Sequence, residues 1–343
     1  MADKRILIIR PDRIGDVVLT TPLVRSLRLS FPSAFIAMMV HPTNTPLLEG
    51  NPHLDEVLTD DREVANAGMN GFRDRVRKIR SYHFNIGLMP FPRERHAWMM
   101  FLAGIRTRVG VGHKLYQMLT FTRYVSRKKY IPLRHEADYM LDLGLKIGAV
   151  RHGMNPELFL TNQEKERARE VLRSRGISFD KPVIGLNPIS RNSSPNWSVV
   201  RYLQLTERLQ GTCDVIINLG PHEVSERNQF AGVEAKGALV LAQSLREHMA
   251  TVASLNLLVS ASTGSMHIAA ALGVPTLSLF CPLTACSPKL WGPIGNDSLV
   301  LLPKADYCQY RCPGDPKVCP LEDIEVSQVA ASVLAYVKRS SGN

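Results

Sequence analysis

Residues Leu257–Pro275 read LLVSASTGSMHIAAALGVP. Leu257–Val259 is a short apolar run, the pattern of a buried strand. Ser260–Ser265 is small and polar, and Gly264 is able to take a turn conformation closed to other residues. Met266–Leu272 consists of good helix formers, and Gly273-Val274-Pro275 stops it. The stretch therefore predicts a strand, a tight turn and a helix start. The first N–H groups of a helix have no partner within it, and the dipole there is positive. A turn of small residues lets a phosphate come close enough to use both. Thr263, Ser265 and His267 add side-chain donors to that reading. The competing reading is a capped helix in an α/β core, with Thr263 or Ser265 as N-cap. The stretch alone leaves both open.

Working outward, the same alternation recurs. Val183–Leu186, Val215–Leu219 and Ala238–Leu241 read as strands, with Val200–Leu209 and Leu245–Ala253 as helices and Gly220–Glu226 as a loop. The first half repeats the scheme. Arg5–Ile9, Phe35–Val40, Val57–Leu58 and His83–Met89 read as strands, and Phe72–Arg80, Trp98–Ala103 and Ala137–Ile147 as helices. Val150–Leu160 has little periodicity and reads as a linker, followed by a charged helix over Gln163–Arg175. The prediction is an α/β protein of two doubly wound, Rossmann-like domains, residues 1–155 and 156–343, facing each other across a cleft. The final helix is left able to pack back on the N-terminal domain.

After the first strand comes Arg10-Pro11-Asp12-Arg13-Ile14-Gly15-Asp16. Asp16 falls between the end of strand one and the start of helix one, the edge where such sheets bind ligands. A carboxylate there is either a helix cap or a general base over a cleft, and Asp12 competes with it. No G-x-G-x-x-G follows the strand, so the dinucleotide fingerprint is absent. Pro90–His96 reads as a loop at the same edge. It either turns Arg93, Arg95 and His96 toward the crevice or is a solvated charged loop. Arg106–Gly110 reads as a short basic return, and Tyr116–Lys129 as a basic segment facing an acceptor.

The chain has 343 residues, 45% hydrophobic and 21% charged, the profile of an ordinary soluble globular protein. No apolar run reaches the ~18 residues of a membrane span, and the N-terminus lacks a signal-peptide pattern. A cytoplasmic protein is expected, with the inner membrane surface open to it as a peripheral site. Lys and Arg exceed Asp and Glu by 42 to 31, a net charge of +11, which favours anionic partners. Nucleic acid is not expected, since no basic stripe interleaved with aromatics and no finger spacing occurs. The six cysteines are expected as free thiols in a cytosolic chain. Cys308, Cys312 and Cys319 follow C-x3-C-x6-C, not a common zinc pattern. No metal is expected, and these three thiols stand as the alternative ligand set.

Two segments carry a resemblance. RILIIRPDRIGDVVLTTPLVRSLR at the start resembles the opening strand, loop and helix of the ADP-heptose heptosyltransferase family, which are inverting sugar transferases of GT-B fold. STGSMHIAAALGVPTLSLFCP resembles that family's phosphate turn and helix, and Lys289–Pro293 with the Cys308/Cys312/Cys319 cluster is similar to its tail. The resemblance implies Asp16 as the base that deprotonates the acceptor hydroxyl. It implies a donor side made of Asn187, Arg191, Glu223, Ser262, Thr263, Gly264, Ser265 and His267. Glu223 would meet the donor ribose, with Glu226 as the alternative. Arg13, Arg93, Arg95 and His96 would serve the acceptor. The implied partners are a nucleotide-sugar and an anionic glycolipid or glycan such as lipopolysaccharide core, with no cofactor. Two positions depart from the family: Ser262 stands where an Asp is common, and no Lys precedes Trp197. Arg191 is the nearest cation there, and Arg can pair bidentately with phosphate. The alternatives are a nucleotide-sugar-binding member without turnover, and a GT-B-like sugar-nucleotide epimerase or hydrolase.

Overall fold

A computed structural model describes residues 4–61, 63, 67–127, 130–190, 193–315 and 318–341. The chain divides into two compact units, Met1–Phe159 and Leu160–Asn343. The division lies in the stretch read as a linker.

The first unit runs β1 (Arg5–Ile9), α1 (Ile14–Val18), α2 (Thr21–Ser30), β2 (Phe35–Val40), β3 (Glu56–Thr59), α3 (Gly68–Ser81), β4 (Ile86–Met89), α4 (Glu94–Leu102), β5 (Thr107–Val111), α5 (Leu115–Leu119), β6 (Arg123–Val125) and α6 (Glu136–Leu145). Its sheet has the order β3-β2-β1-β4-β5-β6, and every pairing is parallel. The central strands are continuous apolar runs because helices cover both faces. The order reverses between β1 and β4. Loops leaving those two strands part in opposite directions and open a crevice at their carboxyl ends.

Three expectations change in this unit. The helix after Asp16 is split, because α1 stops at Val18 and α2 starts anew at Thr21 with Pro22 in its first turn. The loop Pro90–His96 is shorter than expected, since α4 begins at Glu94 and carries Arg95 and His96 in its first turn. Arg106–Gly110 is largely the buried strand β5, and Arg123–Val125 is an edge strand. Lys128 and Lys129 lie outside the described residues.

The second unit runs α7 (Asn162–Ser174), β7 (Val183–Asn187), α8 (Val199–Leu209), β8 (Asp214–Leu219), α9 (Ala231–Glu234), β9 (Leu239–Ala242), α10 (Leu245–Val252), β10 (Leu257–Ala261), α11 (Gly264–Ala271), β11 (Thr276–Leu279), α12 (Pro288–Trp291), β12 (Ser298–Leu301), α13 (Ala305–Tyr310) and α14 (Val326–Ser341). The sheet order is β12-β11-β10-β7-β8-β9, again all parallel. Counted from its own first strand, this is the same winding as in the first unit. Its reversal lies between β7 and β10. Gly185 sits mid-strand in β7, where a Cβ would stand 2.3 Å from Leu255 Cδ1. Gly220–Glu226, read as a loop, enters a 3-10 segment over Pro221–Phe230. The apolar stripe of α14, Val329, Val333 and Val337, is buried in the second unit's core with Tyr202 and Leu205 of α8. The last helix thus commits its apolar face to that unit.

Candidate active site

In the first unit the site residues gather where the sheet order reverses. β1 ends at Ile9, and Arg10 follows with 1% of its surface exposed. A buried guanidinium needs partners on every side. Arg10 Nη2 donates to Asp16 Oδ1 at 2.6 Å and to Glu136 Oε1 at 3.2 Å, and Nε lies 3.3 Å from Asp12 Oδ2. Glu136, in the first turn of α6, is also clasped by Arg127. Sequence reading missed Arg10, Glu136 and the bridging role of Arg127. The signal was a cation closing an apolar strand, a position it holds only if carboxylates come to it.

Asp16 sits in the first turn of α1, its side chain 21% exposed. Its Oδ1 is taken by Arg10, and Oδ2 has no partner among the described residues. Asp12, the competitor, has a side chain only 9% exposed, with Arg10 on one oxygen and Arg93 3.8 Å from the other. Burial pushes its carboxyl above the ordinary carboxylate range, against the pull of Arg10 and helped by the charge of Asp16. Asn44 donates to the Asp12 carbonyl at 2.7 Å and fixes the loop. Of the two acids, Asp16 keeps an oxygen open. Arg13 is exposed in the same loop, at the position before α1.

Arg95 and His96 require a correction. His96 shares the face of α4 that buries Met99 and Met100 and is itself 1% exposed. Its Nε2 lies 3.5 Å from Asp60 Oδ2. Arg95 donates to both oxygens of Asp60, at 3.2 and 3.1 Å, and its guanidinium covers the Phe72 ring. Burial pushes the Asp60 carboxyl up, but the hydrogen bonds from His96 and Arg95 outweigh it and hold it at about 2. These two side chains brace the loop. Arg93, 33% exposed and stacked over Phe91, remains toward the crevice.

In the second unit β10 runs into Ser262 and Thr263, and α11 starts at Gly264. Gly264 opens the helix without using the left-handed conformation open to a glycine. Thr263 is the N-cap by position but makes no capping hydrogen bond. Its Oγ1 is buried and has no partner among the described residues. The contrast within the unit is sharp: α7 and α10 both begin with complete capping boxes, Thr161 with Glu164 and Ser244 with Glu247. The first-turn N–H groups of α11 thus lack both an intrahelical acceptor and a side-chain cap.

Asn187, at the end of β7, and Ser265, in α11, meet across the reversal of this sheet. Ser265 Oγ donates to Asn187 Oδ1 at 2.7 Å, and His248 Nε2 stands 2.9 Å from the same hydroxyl. The hydroxyl has one proton, so His248 supplies the other as donor. Burial pushes His248 down to about 4 and keeps the ring neutral. His248 carried no sequence signal: it lies on α10, 17 residues before Ser265, and no motif links the two. His267, 4% exposed, follows one turn into α11. Glu223 accepts from the Gly220 N–H at 2.7 Å, and with Glu226, Pro188, Asn196 and Trp197 it lines an open recess of about 460 Å³. Arg191 lies outside the described residues.

Of the cysteines, Cys319 lines the same recess as Glu223. Cys281 and Cys319 are buried in the apolar core, with Cys286, Cys308 and Cys312 packed against it. Burial pushes Cys281 up to about 11. Among the described residues no three His, Cys, Asp or Glu side chains form a group able to hold a metal, so the alternative ligand set of Cys308, Cys312 and Cys319 is not assembled there. Among the same residues no helix is long and apolar enough to cross a membrane.

Comparison with known proteins identifies the architecture. A Haemophilus influenzae protein with a provisional glycosyltransferase name is 25% identical, over 98% of this chain and 97% of its own. Lipopolysaccharide heptosyltransferase 2 of Escherichia coli K12 is 24% identical over 90% of each chain. The crystal structure of a family 9 glycosyl transferase from Veillonella parvula superposes with a TM-score of 0.81 at 20% identity, covering 98% of this chain and 97% of that one. The Escherichia coli ADP-heptose lps heptosyltransferase II structure gives 0.78 at 20%, covering 98% and 99%. The fold is the GT-B type. The sequence profile of glycosyltransferase family 9 (heptosyltransferase) matches residues 73–313. The chain therefore belongs to glycosyltransferase family 9, the heptosyltransferase family, and is a glycosyltransferase.

Proposed function

We propose that the protein transfers a heptose, with inversion, from ADP-heptose to a hydroxyl of a lipopolysaccharide-type core. The observation that carries this reading is Asp16, a carboxylate with one oxygen held by a buried arginine and the other open, at the crevice of its sheet. The names of the relatives support the donor and acceptor. The acceptor would be an anionic glycolipid met at the inner membrane surface.

Each step has an assigned group. Asp16 Oδ2 takes the proton of the acceptor hydroxyl as its oxygen attacks the anomeric carbon. The bond from that carbon to the diphosphate oxygen breaks on the opposite face, which inverts the centre. The leaving diphosphate gains charge, and donors fixed in advance stabilise it. Those donors are the uncapped N–H groups of α11 and the Thr263 hydroxyl, and Arg191, which lies outside the described residues, would add its charge. Ser265 and Asn187 hold the turn, and Ser262, Gly264 and His267 complete it. Glu223 at the recess takes the ribose. Arg93 and Arg13 face the acceptor's anionic groups.

The test is transfer from ADP-heptose to a heptose-deficient core acceptor, read by mass spectrometry, with Asp16→Asn alongside. The wild type should form product and the variant should lose on the order of 10²–10⁴ in rate while still binding ADP. Sugar released from donor without acceptor would assign a hydrolase instead. ADP binding without turnover by the wild type would assign a binding protein. Calorimetry with ADP-, UDP- and GDP-sugars settles the base.

A further inference from the structure

The short helix α5 is inside out. Leu115, Met118 and Leu119 stand at i, i+3 and i+4, one helical face. That face points to solvent, with the three side chains 72%, 57% and 55% exposed. Phe121 follows at φ +50° and is 75% exposed. A helix of a globular domain ordinarily turns such a stripe inward.

The outward display is braced from behind. Gln117, on the other side of the helix, is 1% exposed and donates to the Val111 carbonyl at 3.1 Å. The buried Arg108 donates to the Thr120 carbonyl at 2.7 Å, and the Thr120 and Thr122 hydroxyls bond at 2.9 Å. Phe121 lies against Phe101, ring centroids 6.3 Å apart, and exposed Leu102 lies next to Phe101 in the chain. Polar groups are thus spent inside to hold apolar groups outside.

The stretch of chain that carries the patch holds charge of one sign, with Glu94 of α4 the acidic side chain near Tyr116. From Arg95 to His135 the chain carries no Asp or Glu, against nine Lys and Arg. Lys114, Arg106 and Arg123 are exposed, and Arg80 donates to the Leu102 carbonyl at 2.6 Å. We infer that α5 and Phe121 dock this enzyme on an anionic phospholipid surface. The apolar side chains enter the boundary between headgroups and acyl chains, and the surrounding cations meet lipid phosphates. A second copy fits less well, because pairing this face with itself sets cation against cation. The inference extends the proposed glycolipid acceptor by naming the surface that reaches it, but vesicle binding requires no turnover and stands or falls separately.

The experiment is flotation of the full chain with phosphatidylcholine vesicles, with and without phosphatidylglycerol. Binding should require the anionic lipid and weaken with salt. A Leu115→Ser/Met118→Ser/Leu119→Ser/Phe121→Ser variant should keep its melting temperature and its rate on a soluble, deacylated acceptor. Its vesicle partition should fall about tenfold or more. Lys114→Glu with Arg106→Glu should remove much of the salt-sensitive part. Equal flotation of wild type and apolar variant overturns the inference. So does a wild-type dimer, seen by sedimentation without vesicles, that the apolar variant dissolves.

Discussion

Arg10 Nη2 stands 2.6 Å from Asp16 Oδ1 and 3.2 Å from Glu136 Oε1, so one buried guanidinium holds the candidate base to a second carboxylate. Arg10→Met removes the hydrogen bond that positions Asp16 and should therefore lower kcat/KM. It should also lower stability by about 3–5 kcal/mol, because buried carboxylates lose their counter-charge. Arg10→Lys keeps the charge without the fork and should show a smaller change in both. Steady-state rates and thermal unfolding on the same preparations check the pair.

Thr263, as a proposed donor ligand, should separate ligand binding from folding. Its hydroxyl is buried without a partner among the described residues, so removing it from the unliganded protein forfeits no hydrogen bond. Thr263→Val should leave the melting temperature unchanged or slightly raised. It should weaken ADP by about 0.5–1.5 kcal/mol, the net worth of a hydrogen bond, or about twice that to a charged group. Calorimetry with ADP, set beside a melting curve without it, reads both numbers.

Ser265 behaves oppositely. Its hydroxyl serves Asn187 and His248 together. Ser265→Ala leaves two part-buried polar atoms unsatisfied and should cost roughly 1–3 kcal/mol before any ligand is added. Denaturant unfolding measures it.

His248 sets a pH limit on the second unit. Its folded value lies near 4, below the ordinary 6.5, so the unfolded chain binds more protons between those values. Stability from the neutral ring is present above pH 6.5 and is lost progressively as pH falls toward 4. A His248→Gln variant should flatten that part of the melting-temperature profile.

Much of the fold was legible because its strands are buried on both faces. Arg5–Ile9 and Phe35–Val40 are bounded as their apolar runs suggest. Asp16 and the turn at Thr263 could be found because each follows such a run directly. What stayed hidden depends on partners far away in sequence. The face of α4 that takes His96 inward is set by Met99 and Met100 and by Asp60 from another loop. Arg10 reads as an ordinary surface cation until Glu136, 126 residues later, arrives beside it. The inverted stripe of α5 has the periodicity of a core helix, and only the coordinates show it facing out.

Both sheets carry the same winding, and each is complete with its own six strands. No ladder register has to be matched when one half is replaced by that of a relative. A hybrid gene spliced in the irregular stretch near Phe159 would keep both sheets whole. On the proposed assignment of acceptor to the first half and donor to the second, such hybrids would exchange acceptor preference by recombination instead of point substitution.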